Sequence, residues 1–405
     1  MFIATTAVHS GADDNIVGVS VATQALAQLR KQVPDALPQI VYVFASANYA
    51  HLEVLKGIRS VVGLDAVMVG ASTAGEITEL GPAARPSVAV MFIYADTIHF
   101  AATAEEDLTS DSLAAGQALG VSLLQHTPET LKLIMMFADG LKGNPSAIIR
   151  GIVSQLGTKF PIVGGSAGDN GKFVETKQFF QEEVLTDSVV GVGISGEINY
   201  AVGVNHGWNP VGAPRLVTEA VGAVIKTIDN KPAISLYADY LGEEEVKNLR
   251  EHTLGEIALS YPLGIKDESS EGILLRAPFS VNADGSIVCG GEIKTGDSVQ
   301  LMVGNKEDAI KAAEQAARTA LTGLGKPPQA AFIFSCHVRN TLYENIEDSR
   351  AETLAIQKII GADVPMIGFY TYAEQAPLNG TSYSIGKCEP EVHNETVVLV
   401  LMAEA

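Results

Sequence analysis

Three short apolar runs recur along the chain: IVYVFAS (40–46), LKLIMMFAD (131–139) and AAFIFSC (330–336). Each is β-branched and aromatic, too short for an independent helix, and reads as a strand buried on both faces. A small-residue helical stretch precedes each run: NIVGVSVATQALAQLRKQ, SDSLAAGQALGVSLLQH and KEDAIKAAEQAARTALTGL. A second helical pattern follows and stops near a glycine: LEVLKGIRSVVG, PSAIIRGIVSQLG and AETLAIQKIIG. Next comes a short strand ending in Val-Gly or Ile-Gly, then a loop with an acid: GASTAGE (70–76), GGSAGD (164–169) and GFYTYAE (368–374). A further strand closes each unit, at 87–93, 188–194 and 396–402.

The spacing supports a repeat. Phe44 to Gly70 is 26 residues, Phe137 to Gly164 is 27, and Phe334 to Gly368 is 34, the third unit carrying its extra residues in HVRNTLYENIED. A period this long exceeds the roughly 20–50 residues of stacked solenoids and indicates duplicated modules. Helix–strand–helix–strand units predict an α/β fold, with layered sandwich domains whose mixed sheets are covered by helices. Residues from about 215 to 300 interrupt the pattern with helical KPAISLYADYLG and strand-rich GILLRAPFSVNADGSIVCGGEI, where NADGS suits a hairpin turn. The Gly/Pro-rich passage NHGWNPVGAPR places a domain boundary there, giving domains 1–210 and 211–405.

Two familiar spellings fail on context. Gly164-Gly165-Ser166-Ala167-Gly168 is a literal G-x-S-x-G, but a nucleophile elbow needs a helix directly after the serine, and AGDNGKFVETKQFF has no helical period. The G-x-G-x-x-G of GVGISG (191–196) precedes EINYAVGVNHG, which alternates like a strand, so a β-hairpin is expected rather than a dinucleotide site. No nucleophile–base pair or phosphate loop is legible, and the chain reads as a non-enzyme.

What remains are the three loops at strand ends, where ligands of α/β sheets usually sit. Ser72, Ser166 and Tyr370 stand at matching places, and Glu76, Asp169 and Glu374 could accept from a cationic group. Alternatively the glycines merely permit tight turns and the acids cap local amides. The formal net charge of −20 disfavours nucleic acid and anionic membrane surfaces as partners. Three cysteines without a C-x-x-C pair suit a reducing cytosol. The N-terminus lacks a basic region before an apolar stretch, and no apolar run is long enough to insert in a membrane, so a cytoplasmic location is expected.

The stretches VGASTAGEI, VGGSAGDN, NHGWNPVGAPRLVTEAVG, KPAISLYADYLG, LLRAPFSVNADGSIVCGGEIKTGDSVQLM, FIFSCHVRN and MIGFYTYAEQAP…HNETVVLVL together resemble the FIST family, from about residue 15 to 402. The resemblance implies an N-terminal and a C-terminal FIST domain. It implies a sensory protein that binds a small ligand such as an amino acid and signals through a separate partner, for example a histidine kinase or a cyclic-di-nucleotide enzyme. Some members bind haem and sense nitric oxide, which is one alternative reading, an enzyme of unknown activity being the other; a cofactor is otherwise not expected.

The polar candidates follow. Ser335, Cys336 and Arg339 match the family's Ser-Cys-x-x-Arg pattern, and Arg339 could clamp a carboxylate bidentately or pair with an acid such as Glu374. Were the strand to continue, His337 and Arg339 would share one face and Cys336 and Val338 the other. Cys336 reads first as a small buried hydrophobe. Tyr370 and Tyr372 could line a pocket, with Asn394 and Arg276 as further strand-end candidates. For haem the axial candidates are His206, His337 and His393, with His206 next to Trp208 also read as a domain-junction hydrogen bond.

Overall fold

Each of the three units builds a sheet, and none completes it alone. The computed structural model describes residues 1–242, 261–266, 272–378 and 389–405; most of the charged stretch LGEEEVKNLRE, His252 and Cys388 lie outside them. In the first sheet the strands run Phe2–His9, Val88–Ala95, Ile40–Ser46, Val67–Thr73, Gln178–Phe180, Glu183–Leu185. The second runs Ile98–Glu105, Val189–Gly196, Leu131–Ala138, Ile162–Gly165, Glu374–Pro377, Pro390–His393. The third runs Ile198–Asn205, Val397–Glu404, Ala330–Cys336, Met366–Thr371, Glu76–Thr78, Gly81–Pro82.

Thus each unit sends the strands after its glycine loop to the edge of another unit's sheet. Glu76 of the first unit pairs with Phe369, Glu374 of the third with Gly165, and Gln178 of the second with Ala71. The exchange runs in a closed circle. The expected hairpin after GVGISG is also an exchange: both strands form, but Val189–Gly196 stays in the second sheet while Ile198–Asn205 joins the third. No helix follows that glycine run.

One face of every sheet meets a common core. Tyr42, Phe44, Phe137, Phe332, Phe334 and Phe369 from the three central strand pairs are fully buried there. Their rings meet edge-on or tilted, Tyr42 with Phe332 at 4.8 Å and Phe44 with Phe369 at 4.6 Å between centroids. Such pairs contribute about 0.5–1.5 kcal/mol beyond area burial. Two helices cover each outer face: Asp14–Gln32 with His51–Val62, Leu108–His126 with Pro145–Leu156, and Lys306–Leu324 with Ile346–Ile360.

The recurring strand-end glycine has a steric cause. A Cβ on Gly70, Gly164 or Gly368 would lie 1.7, 1.9 or 1.8 Å from the carbonyl oxygen of Val43, Met136 or Ile333 on the neighbouring strand. Strands Trp208–Val221 through Ser298–Gly304 form a separate β-rich insert around its own apolar cluster, which includes Val217, Tyr237, Ile287 and Leu301. Within it NADGS does turn a hairpin, Asn282 N donating to Ser286 O at 2.8 Å.

Candidate functional site

The three glycine loops turn inward and lace to one another. Ser72 Oγ donates to the Gly168 carbonyl at 2.8 Å and accepts from Lys177 N at 2.9 Å. Ser166 N donates to Ala373 O and its Oγ accepts from Gln375 Nε2 at 3.0 Å. Ala74 N donates to Tyr370 O, and Tyr370 N to Gly75 O. Both serines are buried and engaged by protein groups.

Behind the loops lie three equivalent polar nodes. Ser46, Asp139 and Cys336 end the central strands, and their amides donate to Ser87, Ser188 and Thr396 carbonyls at 2.9–3.0 Å. Each node holds one exchanged residue. Glu76 accepts from the hydroxyls of Ser46, Thr73 and Ser87; Gln178 Oε1 accepts from Ser188 Oγ; Glu374 accepts from Thr371 Oγ1 and, at 3.1 Å, from Thr396 N. Burial raises the Glu76 carboxyl above its ordinary range despite those hydroxyls. Burial pushes Glu374 up to about 8, against the pull of Thr371, the Thr396 amide and Arg339. Beside it the Glu395 carboxyl is fully buried without a hydrogen-bond partner, and burial together with Glu374 drives it well above its usual value. Burial also lifts the Cys336 thiol well up, so that it sits as a protonated, buried group.

Arg339 is held differently from the strand-continuation expectation. The strand ends at Cys336 and a short helix, His337–Thr341, begins, carrying Arg339 inward. Its guanidinium donates to the Glu352 carboxylate, the His206 carbonyl, Ala309 O at 2.9 Å and Ser335 Oγ at 3.3 Å. Its ion-pair partner is therefore Glu352, and both side chains are buried. Burial opposes the Arg339 charge, but Glu352 more than restores it, leaving the pKa raised. Trp208 lies 5.9 Å from the guanidinium, and its own amide donates to His206 Nδ1 at 2.9 Å.

Tyr372 and Asp169 form another cluster. The Tyr372 hydroxyl donates to Asp169, which also accepts from the amides of Phe173, Val174 and Glu175 at 2.7–3.1 Å. Burial alone would raise the Asp169 carboxyl, but these donors hold it below its ordinary range. Phe173 stacks on Tyr372 at 4.5 Å, and His337 lies 6.1 Å from the same ring. Asn394 joins the third unit to the insert, accepting from Ala277 N at 3.2 Å.

None of the three haem candidates lines the cavities of about 280 and 640 Å³. His393 Nε2 bonds the Ala376 carbonyl at 3.2 Å, His206 Nδ1 serves Trp208, and His337 packs against Gly171 with Nδ1 buried and unpartnered. Burial lowers all three, to about 3 for His393 and about 4 for His206 and His337. Among the described residues no group of three or more His, Cys, Asp or Glu side chains is placed to hold a metal ion.

A cavity of about 280 Å³ opens where the exchanged hairpin of the first unit meets the third. Glu76 and Tyr370 stand in its wall with Arg85, Asn340, Tyr343 and Ser349, and the Arg339–Glu352 pair backs it. The Tyr343 hydroxyl is buried, faces Glu352 without a sound hydrogen bond, and has its pKa raised by burial. Arg85 is exposed and donates one Nη2 bond to Ala74 O. The site therefore offers a fork-shaped cation and a buried phenol that lacks a well-formed partner. Sequence reasoning reached Glu76, Tyr370 and Arg339 but missed Arg85, Tyr343 and Glu352. The signal for Tyr343 was the lengthening of the third unit, HVRNTLYENIED, which supplies one side of the cavity.

An uncharacterised protein of Mycobacterium tuberculosis (strain ATCC 25618 / H37Rv) is 28% identical over 239 residues, 56% of this chain and 60% of that protein. An uncharacterised protein of Methanocaldococcus jannaschii is 35% identical over 83 residues, 20% of this chain and 16% of its own. The chain thus spans 60% of the length of the mycobacterial relatives it matches first. Among solved structures, a cyanuric acid hydrolase from A. caulinodans covers 100% of this chain over 99% of its own at 9% identity, with a TM-score of 0.39. A chorismatase covers 100% over 98% of its own at 10% identity, with a TM-score of 0.36. Both likenesses are too distant to bear on activity. The FIST N domain model matches residues 39–231 and the FIST C domain model residues 233–377. With both domains matched in order along most of its length, the chain belongs to the FIST family of signal-transduction sensory domains.

Proposed function

We propose that the cavity between the first and third units binds a small polar metabolite bearing a carboxylate, of amino-acid size, and that occupancy is passed to a separate signalling protein. The observation that carries this reading is the buried Tyr343 hydroxyl, which faces Glu352 without completing a well-formed hydrogen bond, beside Arg85 in a recess of about 280 Å³. A buried donor without a partner costs roughly 1–3 kcal/mol. A ligand oxygen that accepts from Tyr343 while its carboxylate meets the Arg85 fork removes that cost. Glu76 contributes shape more than charge, since three protein hydroxyls occupy its oxygens.

The cavity's position suggests the readout. One wall is the exchanged hairpin and the other is the third unit's own loop and helix, so a ligand touching both favours the state in which they are docked. A histidine kinase or a cyclic-di-nucleotide enzyme is the class of partner that would read such docking.

The test is thermal denaturation against a panel of L-amino acids and small mono- and dicarboxylates, followed by calorimetric titration of the best compound. At about 100 times Kd a ligand adds roughly 2.7 kcal/mol, a shift of several degrees. Arg85→Ala should lose at least about tenfold in affinity, or roughly 1.4 kcal/mol, and Tyr343→Phe a smaller factor. If no panel member shifts the transition, or if Arg85→Ala binds as well as the parent, the reading fails.

A further inference from the structure

A second and larger cavity, about 640 Å³, lies between helix Pro145–Leu156 of the second unit and the β-rich insert. Its wall reverses the character of the chain. The protein has 47 acidic against 27 basic residues, yet Arg150, Lys266, Arg276 and Lys294 meet there against Glu292, Asp297 and Glu391. The acids are largely committed. Glu292 takes a two-pronged bond from Arg150 at 2.6 and 3.0 Å, and Asp297 accepts from Lys294 N at 2.8 Å. Burial raises the Glu391 carboxyl above its ordinary range, while the Arg276 charge pulls it the other way.

Arg276 is the unusual member. Its side chain is 2% exposed, the position where a guanidinium normally has a carboxylate. Instead its Nε donates to Glu292 O at 3.0 Å, and its Nη1 to Leu275 O at 3.1 Å and Val392 O at 2.8 Å. Among the described residues no carboxylate lies within 4.0 Å of it, and Nη2 makes no hydrogen bond. Three carbonyls thus hold Nε and Nη1 of a buried cation whose residue lines the cavity, and leave Nη2 without a hydrogen bond among the described residues. Lys266 and Lys294 flank it and make no ion pair among the described residues.

We propose that this cavity is an anion site, distinct from the first, which takes a small polyanion with a phosphoryl or carboxylate oxygen on Arg276 Nη2 and further oxygens near Lys266 and Lys294. An anion there supplies the missing counter-charge to Arg276 and ties the insert to the second unit. The protein then has two inputs, one at each of two different seams.

The experiment is calorimetric titration of the full chain with inorganic pyrophosphate and, separately, with citrate. Saturable one-to-one binding is expected for at least one probe; the tighter probe assigns the phosphoryl or the carboxylate class. Lys266→Glu/Lys294→Glu changes exposed residues and should weaken binding by about tenfold or more, and Arg276→Gln by at least as much. Lys56→Glu, on an exposed helix face of the first unit, makes the same kind of charge change and should leave affinity intact. The proposal is overturned if neither probe binds saturably, or if the Lys266→Glu/Lys294→Glu variant binds as tightly as the parent.

Discussion

Removing Arg339 tests whether this arginine is a ligand clamp or a structural cation. In Arg339→Ala the Glu352 carboxylate, 2% exposed, keeps its burial and loses its counter-charge. Breaking a buried pair from one side costs about 3–5 kcal/mol. The carbonyls of His206 and Ala309 also lose a donor, adding roughly 1 kcal/mol each before relaxation. The sum, about 5–7 kcal/mol, is a large part of the ~5–15 kcal/mol that holds a typical domain. It corresponds to a fall in Tm of roughly 10–28 °C at 2–4 °C per kcal/mol. The assay is built in: Trp208 is the chain's single tryptophan and sits 5.9 Å from the guanidinium, so its fluorescence in a urea titration reports on this contact. A double variant, Arg339→Met/Glu352→Leu, should recover much of the loss, because it removes both charges. A stability for Arg339→Ala within about 1 kcal/mol of the parent refutes the structural reading, as does a double variant no better than the single one.

Three further outcomes follow from other parts of the ring. Glu374 has a folded pKa of about 8, above its unfolded value, so its protonated form stabilises the fold and that contribution fades as pH rises toward 8. The lowered histidines act in the opposite sense, but only below about pH 6.5. Denaturation midpoints should therefore fall between about pH 6.5 and 8 in the parent and fall less steeply in Glu374→Gln, where the buried Glu395 still contributes in the same sense; an unchanged slope in the variant contradicts the assignment. Gly368→Ala forces a Cβ to 1.8 Å from the Ile333 carbonyl and should abolish soluble expression or cost more than about 4 kcal/mol, whereas Gly63→Ala meets no atom within 4 Å and should cost only the backbone strain of its φ of 77°, roughly 1–3 kcal/mol. Asp169→Asn keeps the shape but loses charge-assisted bonds to Tyr372 and three amides, for about 2 kcal/mol, read as faster proteolysis of the 166–177 loop.

The repeat was legible because local rules govern it: IVYVFAS, LKLIMMFA and AAFIFSC became central strands, and the glycine within each partner strand marks a steric contact one strand away. The use of the loops was not legible. Ser72 and Ser166 look like exposed hydroxyls on paper, but their partners lie 96 and 209 residues away on other units. The same holds for Arg339, whose acid was sought at Glu374 and proved to be Glu352, inside AETLAIQKIIG on a helix face that otherwise buries Thr353, Ile356 and Ile360. An acid on an apolar helix face was the available clue. Composition could not mark the cation-lined cavity, because an average charge hides a local reversal.

The circular exchange of strands also sets how the chain reaches this state. A bond such as that from Gln357 to the Glu79 carbonyl spans 278 residues, and the first sheet cannot close its edge until residues 178–185 arrive from the second unit. Contacts of such separation form only after long loops have closed, and they place the protein among slow, high-contact-order folders. A unit that has collapsed on its own presents an open sheet edge, which is a template for a neighbouring chain's matching strand. Folding yield should therefore depend on protein concentration even where the finished fold is stable.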